Sequence, residues 1–219
     1  MKKILVSLMV VVMGLLLMSP VASAYPVSAG DQIKINWGIG NANNGGSFKI
    51  SKVATPANIL FDTFCLERDE YFSPGSSYYI GSITGNAING GIGGPSPDPI
   101  SSQTAYLFSG WSNWTIAHSA ANANALQLAI WKFEEEWNGA FAVGSLEKYY
   151  YDLAVSNAVE GSFYGVSVLN IYGSSCVPGA TCNPSYQQDM LVGVPEPTTM
   201  LLFGLGLLGL AGLRRRFKK

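Results

Sequence analysis

The chain contains three cysteines, an odd number that leaves one thiol unpaired in an oxidising compartment. Cys176 and Cys182 flank the turn-rich segment 177–181, so a small local disulfide between them is expected where the geometry of the turn permits the bond. Cys65 is then the odd thiol. A cysteine between Phe64 and Leu66 is most often an inert core residue, although a thiol is also a strong nucleophile.

The other residues that could carry chemistry form no enzyme signature. His118 is the only histidine, and in a loop rich in Trp and Asn it is expected to be a surface hydrogen-bonding residue. The run 134–136 of three glutamates is expected to be a solvated helix face. Four acids offer the oxygen ligands that Ca²⁺ prefers, but their spacing matches no EF-hand loop: Asp62, Glu67, Asp69 and Glu70. We therefore predict no enzyme, no metal site and no cofactor.

Strands are predicted for the first part of the chain, and one of them, over residues 58–66, contains Cys65. Ile33, Ile35 and Trp37 alternate with polar residues, and the same pattern follows an Asn-Asn-Gly-Gly turn, which predicts a hairpin. Four strands are predicted in this half of the chain: 31–37, 47–53, 58–66 and 77–83. A loop rich in Gly, Asn and Pro is expected to follow over residues 85–99.

The clearest helical periodicity covers residues 120–137, with Asn122 or Asn124 as the predicted N-cap. Its apolar stripe is formed by Leu126, Ile130, Phe133 and Trp137. Two further helices are predicted, over 102–108 and, with Ser145 as N-cap, over 146–158.

Strand composition returns over 163–172 and 186–192. The order of strands, helices and strands predicts a β-rich α+β fold, an antiparallel sandwich or barrel with a helical insertion.

Two short blocks of the chain resemble the bacterial surface thioester domain: Asp62-Thr-Phe-Cys65-Leu-Glu67 on the third predicted strand and Leu126-Gln127-Leu-Ala-Ile-Trp131 on the helix. In that family a strand cysteine and a helix glutamine form an internal thioester. The resemblance spans roughly residues 61–137, and it implies that Cys65 is the thiol and Gln127 the acyl donor. The family usually has Thr where Leu126 stands.

Such a thioester is a stored acylating group. A thiol held in near-attack geometry gains an effective molarity on the order of 10⁵ M, and the amide nitrogen leaves as ammonia. An amine or hydroxyl of a partner would then attack and stay attached through Gln127, with His118 as the candidate proton acceptor. Four aromatic residues could exclude water until that attack: Phe64, Trp111, Trp114 and Trp131.

Three other interpretations stay open. The body could be an unreactive relic of the same fold, with Gln127 solvated or capping a neighbour. It could be a purely structural biofilm component, or a non-covalent carbohydrate-binding module. For the last, the sugar-stacking candidates are Trp111, Trp114, Tyr78, Tyr79 and Tyr149 to Tyr151, although aromatic residues at such spacing more often fill a core.

Both ends of the chain have the composition of targeting segments. Residues 1–24 combine two lysines, an apolar run and a small-residue site, which is typical of a signal peptide cleaved before Tyr25. Residues 194–219 combine Val-Pro-Glu-Pro, an uncharged apolar run and a basic end, which predicts a short transmembrane helix with its basic end retained inside. Residues 25–193 remain as one domain-sized body.

The C-terminal segment resembles the tripartite PEP-CTERM sorting signal of Gram-negative bacteria, with Pro195, Glu196 and Pro197 as the motif. The resemblance implies an exosortase as partner, a membrane cysteine protease-transpeptidase that processes the chain near this motif. It also implies export through the inner membrane, transient anchoring there and release to the cell surface or its polysaccharide matrix. The expected partners of the body are exopolysaccharides or surface ligands with amine or hydroxyl groups.

The net charge of −1 conceals an acidic body. Seven of the thirteen Lys and Arg residues lie in the two terminal segments, and residues 25–193 carry six cations against thirteen acids, a net charge of −7. Such a domain repels phosphates, so nucleic acid is excluded as a partner.

Overall fold

The protein is described by a computed structural model that covers residues 25–41, 45–90, 94–173 and 185–194. Cys176 and Cys182 lie outside these residues, as do the motif 195–197 and both predicted targeting segments.

Six antiparallel strands form one sheet: β1 (Gln32–Trp37), β2 (Phe48–Lys52), β3 (Ile59–Thr63), β4 (Ser77–Thr84), β7 (Val166–Gly173) and β8 (Met190–Gly193). Their order across the sheet is β3-β2-β1-β4-β7-β8. The predicted hairpin is confirmed, with Ile35 of β1 opposite Ile50 of β2. The predicted loop at 85–99 contains two short paired strands, β5 (Asn86–Ala87) and β6 (Asp98–Pro99).

The sheet curls into a half-barrel, so that the chain just after β3 reaches the opposite edge strand. Cys65 forms an isolated bridge with Met190 of β8. The amide of Leu66 donates to the carbonyl of Asp189 at 3.0 Å, and the amide of Leu191 donates to the carbonyl of Phe64 at 3.1 Å. We call this pairing of residues 64–66 with 189–191 the seam. The seam gives both outer strands of the sheet hydrogen-bond partners at this end.

Three helices are inserted between β6 and β7, as the order of elements predicted: α1 (Ser102–Ser112), α2 (Ala120–Phe133) and α3 (Leu146–Asn157). Ser145 caps α3 as predicted. The predicted cap of α2 was wrong, because Ser119 has the extended backbone of an N-cap and its side chain accepts from the amide of Asn122. Asn122 and Asn124 therefore lie inside the helix, and Trp137 lies beyond its end.

The sheet is buried on both faces toward its β7 and β8 end, and neighbouring side chains of the seam there belong to two different cores. One core joins the helices to one face of the sheet and includes Phe64, Leu66 and Trp111. The other core fills the inner face of the curled sheet and includes Cys65 and Trp131. Successive side chains of an extended segment point to opposite faces, which explains why Cys65 and its two neighbours belong to different cores.

No helix within the described part of the chain combines the length and the apolar character that a membrane crossing requires.

Candidate functional site

Gln127 and Cys65 lie in direct contact, although they are 62 residues apart in the chain. The Gln127 side chain is fully buried, so the unreactive alternative keeps only its second form, in which Gln127 caps a neighbour and is not solvated. Its Oε1 accepts from the amide of Cys65 at 3.2 Å and from the amide of Gly46 at 3.3 Å, and its Nε2 donates to the carbonyl of Cys65 at 2.9 Å. The structure therefore brings together the two residues that the thioester resemblance paired.

The seam explains why a glutamine side chain fits at this point. Phe64 and Leu66 use their backbone groups to pair with β8, so the amide and carbonyl of Cys65 face the other way, toward β2. The register of β2 and β3, with Phe48 opposite Thr63, would place Gly46 opposite Cys65. The Gln127 carboxamide occupies that gap and bonds to both backbones.

Two glycines allow this approach. A Cβ atom on Gly45 would lie 2.6 Å from Cη2 of Trp131 and 2.7 Å from Cγ of Gln127. Gly46 has a φ of +129°, a conformation that residues with a side chain rarely adopt. Sequence reasoning assigned these glycines to a turn and missed their contact with the helix; the adjacent Gly-Gly pair was the only signal for it.

The Cys65 thiol is 1% exposed and free. Burial, and then the nearby charge of Glu67, raise the pKa of this thiol well above its ordinary value. The sulfur is therefore protonated at neutral pH. A reaction at this sulfur has to remove its proton during the attack rather than before it.

Two buried acids lie at the seam, Asp189 within it and Glu67 directly after it. Glu67 is 2% exposed; its Oε2 accepts from the amide of Asp189 at 2.7 Å, and its Oε1 has no hydrogen-bond partner among the described residues. Asp189 accepts from Ile88, Asn170 and Ile171. Burial raises the pKa of both carboxyl groups, and repulsion from Asp189 adds to the rise at Glu67.

The glutamates after α2 are not a solvated face, as the sequence had predicted, because the helix ends at Phe133 and the chain turns. Only Glu135 is exposed. Glu134 Oε1 accepts from the amide and the hydroxyl of Ser101, and burial raises the pKa of Glu134 to about 7. Glu136 Oε2 accepts from the amide of Arg68 at 2.9 Å. These two side chains fix the start of α1 and the segment that follows Cys65.

His118 makes its contacts elsewhere. Its ring lies between the rings of Trp111 and Trp114, its Nε2 donates to the carbonyl of Trp111 at 2.9 Å, and its Nδ1 lies 3.8 Å from Oδ2 of Asp62. Within the described residues no hydrogen bond joins it to Cys65 or Gln127. Its role as proton acceptor stays a prediction.

The aromatic residues considered for sugar stacking divide by exposure. Trp111 is 0% exposed, and Tyr78 and Tyr150 are also buried, so these three fill cores. Trp114 is 72% exposed and Tyr149 is 56% exposed. Tyr79 and Tyr151 are half-buried, so among these candidates Trp114 and Tyr149 present the large aromatic surfaces to solvent.

Among the residues that the structure covers, no group of three or more His, Cys, Asp or Glu side chains is arranged to hold a metal ion.

Comparison with protein families matches the model described as the PEP-CTERM protein-sorting motif over residues 193–216. This match confirms the sorting signal that the C-terminal segment predicted. No curated protein and no solved structure matches the chain. The role of the body therefore has to be inferred from its own residues.

Proposed function

We propose that this chain, whose PEP-CTERM sorting motif at residues 193–216 indicates exosortase processing at the membrane and an extracellular location, attaches covalently through its body to a partner at the cell surface or in the matrix. The bond that stores this reactivity is a thioester between Sγ of Cys65 and Cδ of Gln127. The observation that carries the proposal is the pair of hydrogen bonds between the Gln127 carboxamide and the backbone of Cys65.

The surroundings of Oε1 suit the first step. When the sulfur adds to Cδ, negative charge develops on Oε1, which already accepts from the amides of Cys65 and Gly46. Two fixed backbone donors at a developing oxyanion lower the barrier to acyl transfer. The proton of the thiol passes to Nε2, the C–N bond breaks, and one ammonia leaves as the S–C bond forms.

Burial favours the stored bond in two ways. It holds the thiol and the carboxamide together, so the entropy cost of bringing them into contact is met on folding and does not add to the reaction barrier. It also keeps water away from the thioester, because both side chains are almost fully buried.

Attachment follows when an amine or hydroxyl group of a partner attacks the thioester carbonyl. The new amide or ester bond forms at Cδ of Gln127, and Cys65 leaves as a free thiol. An exopolysaccharide or a surface protein carries suitable nucleophiles. The result is adhesion or attachment to the matrix without further catalysis.

Intact mass spectrometry of the freshly exported protein tests this function. We expect a mass lower than that of the processed sequence by one ammonia, and a gain of one methylamine after treatment with that amine. The matched control is Cys65→Ala, which is expected to show no loss of ammonia and no change with methylamine. A full, amine-insensitive mass for the fresh wild-type protein would rule the thioester out.

A further inference from the structure

Trp114 is a large, exposed aromatic residue held in a strained backbone conformation. It follows α1, its φ is +58°, and its side chain is 72% exposed. A positive φ is uncommon for a bulky residue, and such strain persists where the surrounding structure enforces it, often at binding sites. The amide of Trp114 donates to the carbonyl of Trp111, and the Thr115 hydroxyl donates to the carbonyl of Gly110, so hydrogen bonds fix this turn.

The indole ring of Trp114 is the outermost of three stacked rings. The ring of His118 stacks on it with centroids 3.6 Å apart, and the fully buried ring of Trp111 stacks on His118 at 3.9 Å. Trp111 in turn packs edge-on against Phe64 in the core. His118 is held by the carbonyl of Trp111 and lies beside Asp62. The inner face of Trp114 is therefore covered, and the ring is held rigidly.

The residues beside this ring are short and polar. Ser112, Asn113 and Thr115, which flank Trp114 in the sequence, are all exposed and carry hydroxyl and amide groups rather than apolar side chains. A protein-binding patch is normally a contiguous apolar area with a polar rim. A single flat ring with hydrogen-bonding neighbours instead matches the mixed apolar and polar character of a sugar, whose ring C–H groups form a flat face edged by hydroxyls.

We propose that the outer face of Trp114 is a stacking platform for a neutral, β-linked glucan, which binds non-covalently. The charge of the body selects against acidic polysaccharides, because residues 25–193 carry a net charge of −7, from six cations and thirteen acids. The rigid support means that little conformational entropy is lost when a sugar ring packs on the indole. This binding does not require Cys65, so it goes beyond the covalent attachment proposed above.

Affinity electrophoresis of the exported protein in gels containing hydroxyethylcellulose, a soluble neutral β-glucan, tests the platform, with alginate gels as the acidic comparison. We expect retardation by the neutral glucan and none by alginate. Trp114→Ala should weaken the apparent affinity at least about tenfold, since it removes the stacking surface. His118→Ala should weaken it less, because the indole remains but loses its support.

Two controls keep this test independent of folding and of the thioester. Trp37→Ala removes another exposed tryptophan, 53% exposed and packed on Phe48 instead of on His118, and should leave the affinity unchanged. Trp114→Asn places a residue that tolerates positive φ at the same turn and should lose binding while keeping the circular dichroism spectrum and melting curve. Cys65→Ala should bind like the wild type. The proposal is overturned if wild-type protein is not retarded by the neutral glucan, or if Trp114→Ala and Trp114→Asn are retarded as strongly as the wild type.

Discussion

At the scale of single residues, the Gln127 carboxamide has two roles that are compatible with each other. It satisfies three backbone groups that have no strand partner among the described residues: the amide and carbonyl of Cys65 in the seam and the amide of Gly46 before β2. The same hydrogen bonds hold its carbonyl carbon beside a thiol-bearing residue. The structural role alone would explain the burial of Gln127, so the two roles have to be separated by experiment.

Removal of this carboxamide should be costly for stability. Gln127→Ala leaves buried backbone groups unpaired and opens a cavity, so we expect the free energy of unfolding to fall by roughly 2–4 kcal/mol. Urea denaturation followed by tryptophan fluorescence measures the change. Gln103→Ala in α1 is the matched control, because Gln103 is partly exposed and makes no side-chain hydrogen bond among the described residues. Equal losses for the two variants would contradict the role of Gln127 at the seam.

At the scale of elements, local patterns predicted the parts but not the seam. The alternation of Ile33, Ile35 and Ile50 predicted the hairpin, and Ser145 predicted the start of α3, because both signals lie within a few residues of the feature. The pairing of Cys65 with Met190 joins segments far apart in the sequence, and no periodicity encodes it.

The burial of the glutamates after α2 could not be predicted for a related reason. Extending the helical periodicity through residue 137 placed Glu134 and Glu136 on a solvated face. The helix instead ends at Phe133, and Glu135 adopts a φ of +61°, which changes the direction of the chain. The contacts of Glu134 with Ser101 depend on where α1 begins, and that is tertiary information.

The approach of α2 to the segment before the start of β2 depends on Gly45. Gly45→Ala would place its Cβ within 3 Å of Trp131 and Gln127, so one of these side chains has to move. We expect a loss of roughly 1–3 kcal/mol of stability, the usual cost of overpacking, together with incomplete thioester formation. Gly75→Ala is the matched control, because a Cβ there meets no atom within 4 Å and only its positive φ adds strain. Thermal melts and intact mass report the two effects, and a Gly45→Ala variant that is as stable as wild type and fully modified would argue against this packing.

At the scale of the whole molecule, the buried acids predict how stability depends on pH. The raised pKa values of Glu67, Asp189 and Glu134 mean that the folded state keeps protons that the unfolded state releases. Stability should therefore fall as the pH rises from about 5 to about 8, because the unfolded state binds fewer protons over this range. The pKa of Asp31 is lowered, so this residue makes stability rise with pH, but only in solutions more acidic than this range.

Urea denaturation at a series of pH values measures this dependence. Glu67→Gln keeps the shape of the side chain and removes its charge, so this variant should lose less stability as the pH rises than the wild type does. A wild-type stability that rises between these pH values, or an equally steep fall in Glu67→Gln, would show that Glu67 does not carry a proton in the folded protein.

The organisation of the chain assigns different tasks to its parts. The sorting motif at 193–216 directs export and processing by an exosortase. We propose two separate sites on the body, a buried one at Cys65 and Gln127 and an exposed one at Trp114. An exposed platform that binds glucan reversibly and a buried group that reacts once would together hold the protein in an extracellular matrix.

The position of an amine label distinguishes a thioester from a purely structural contact between Cys65 and Gln127. The exported protein is incubated with isotopically labelled methylamine, digested with a protease and sequenced by tandem mass spectrometry. We expect one label, on the side chain of Gln127, and none on Gln103 or Gln188 or in the Cys65→Ala variant. An unlabelled Gln127 in wild-type protein, or a label that persists in Cys65→Ala, would contradict the thioester.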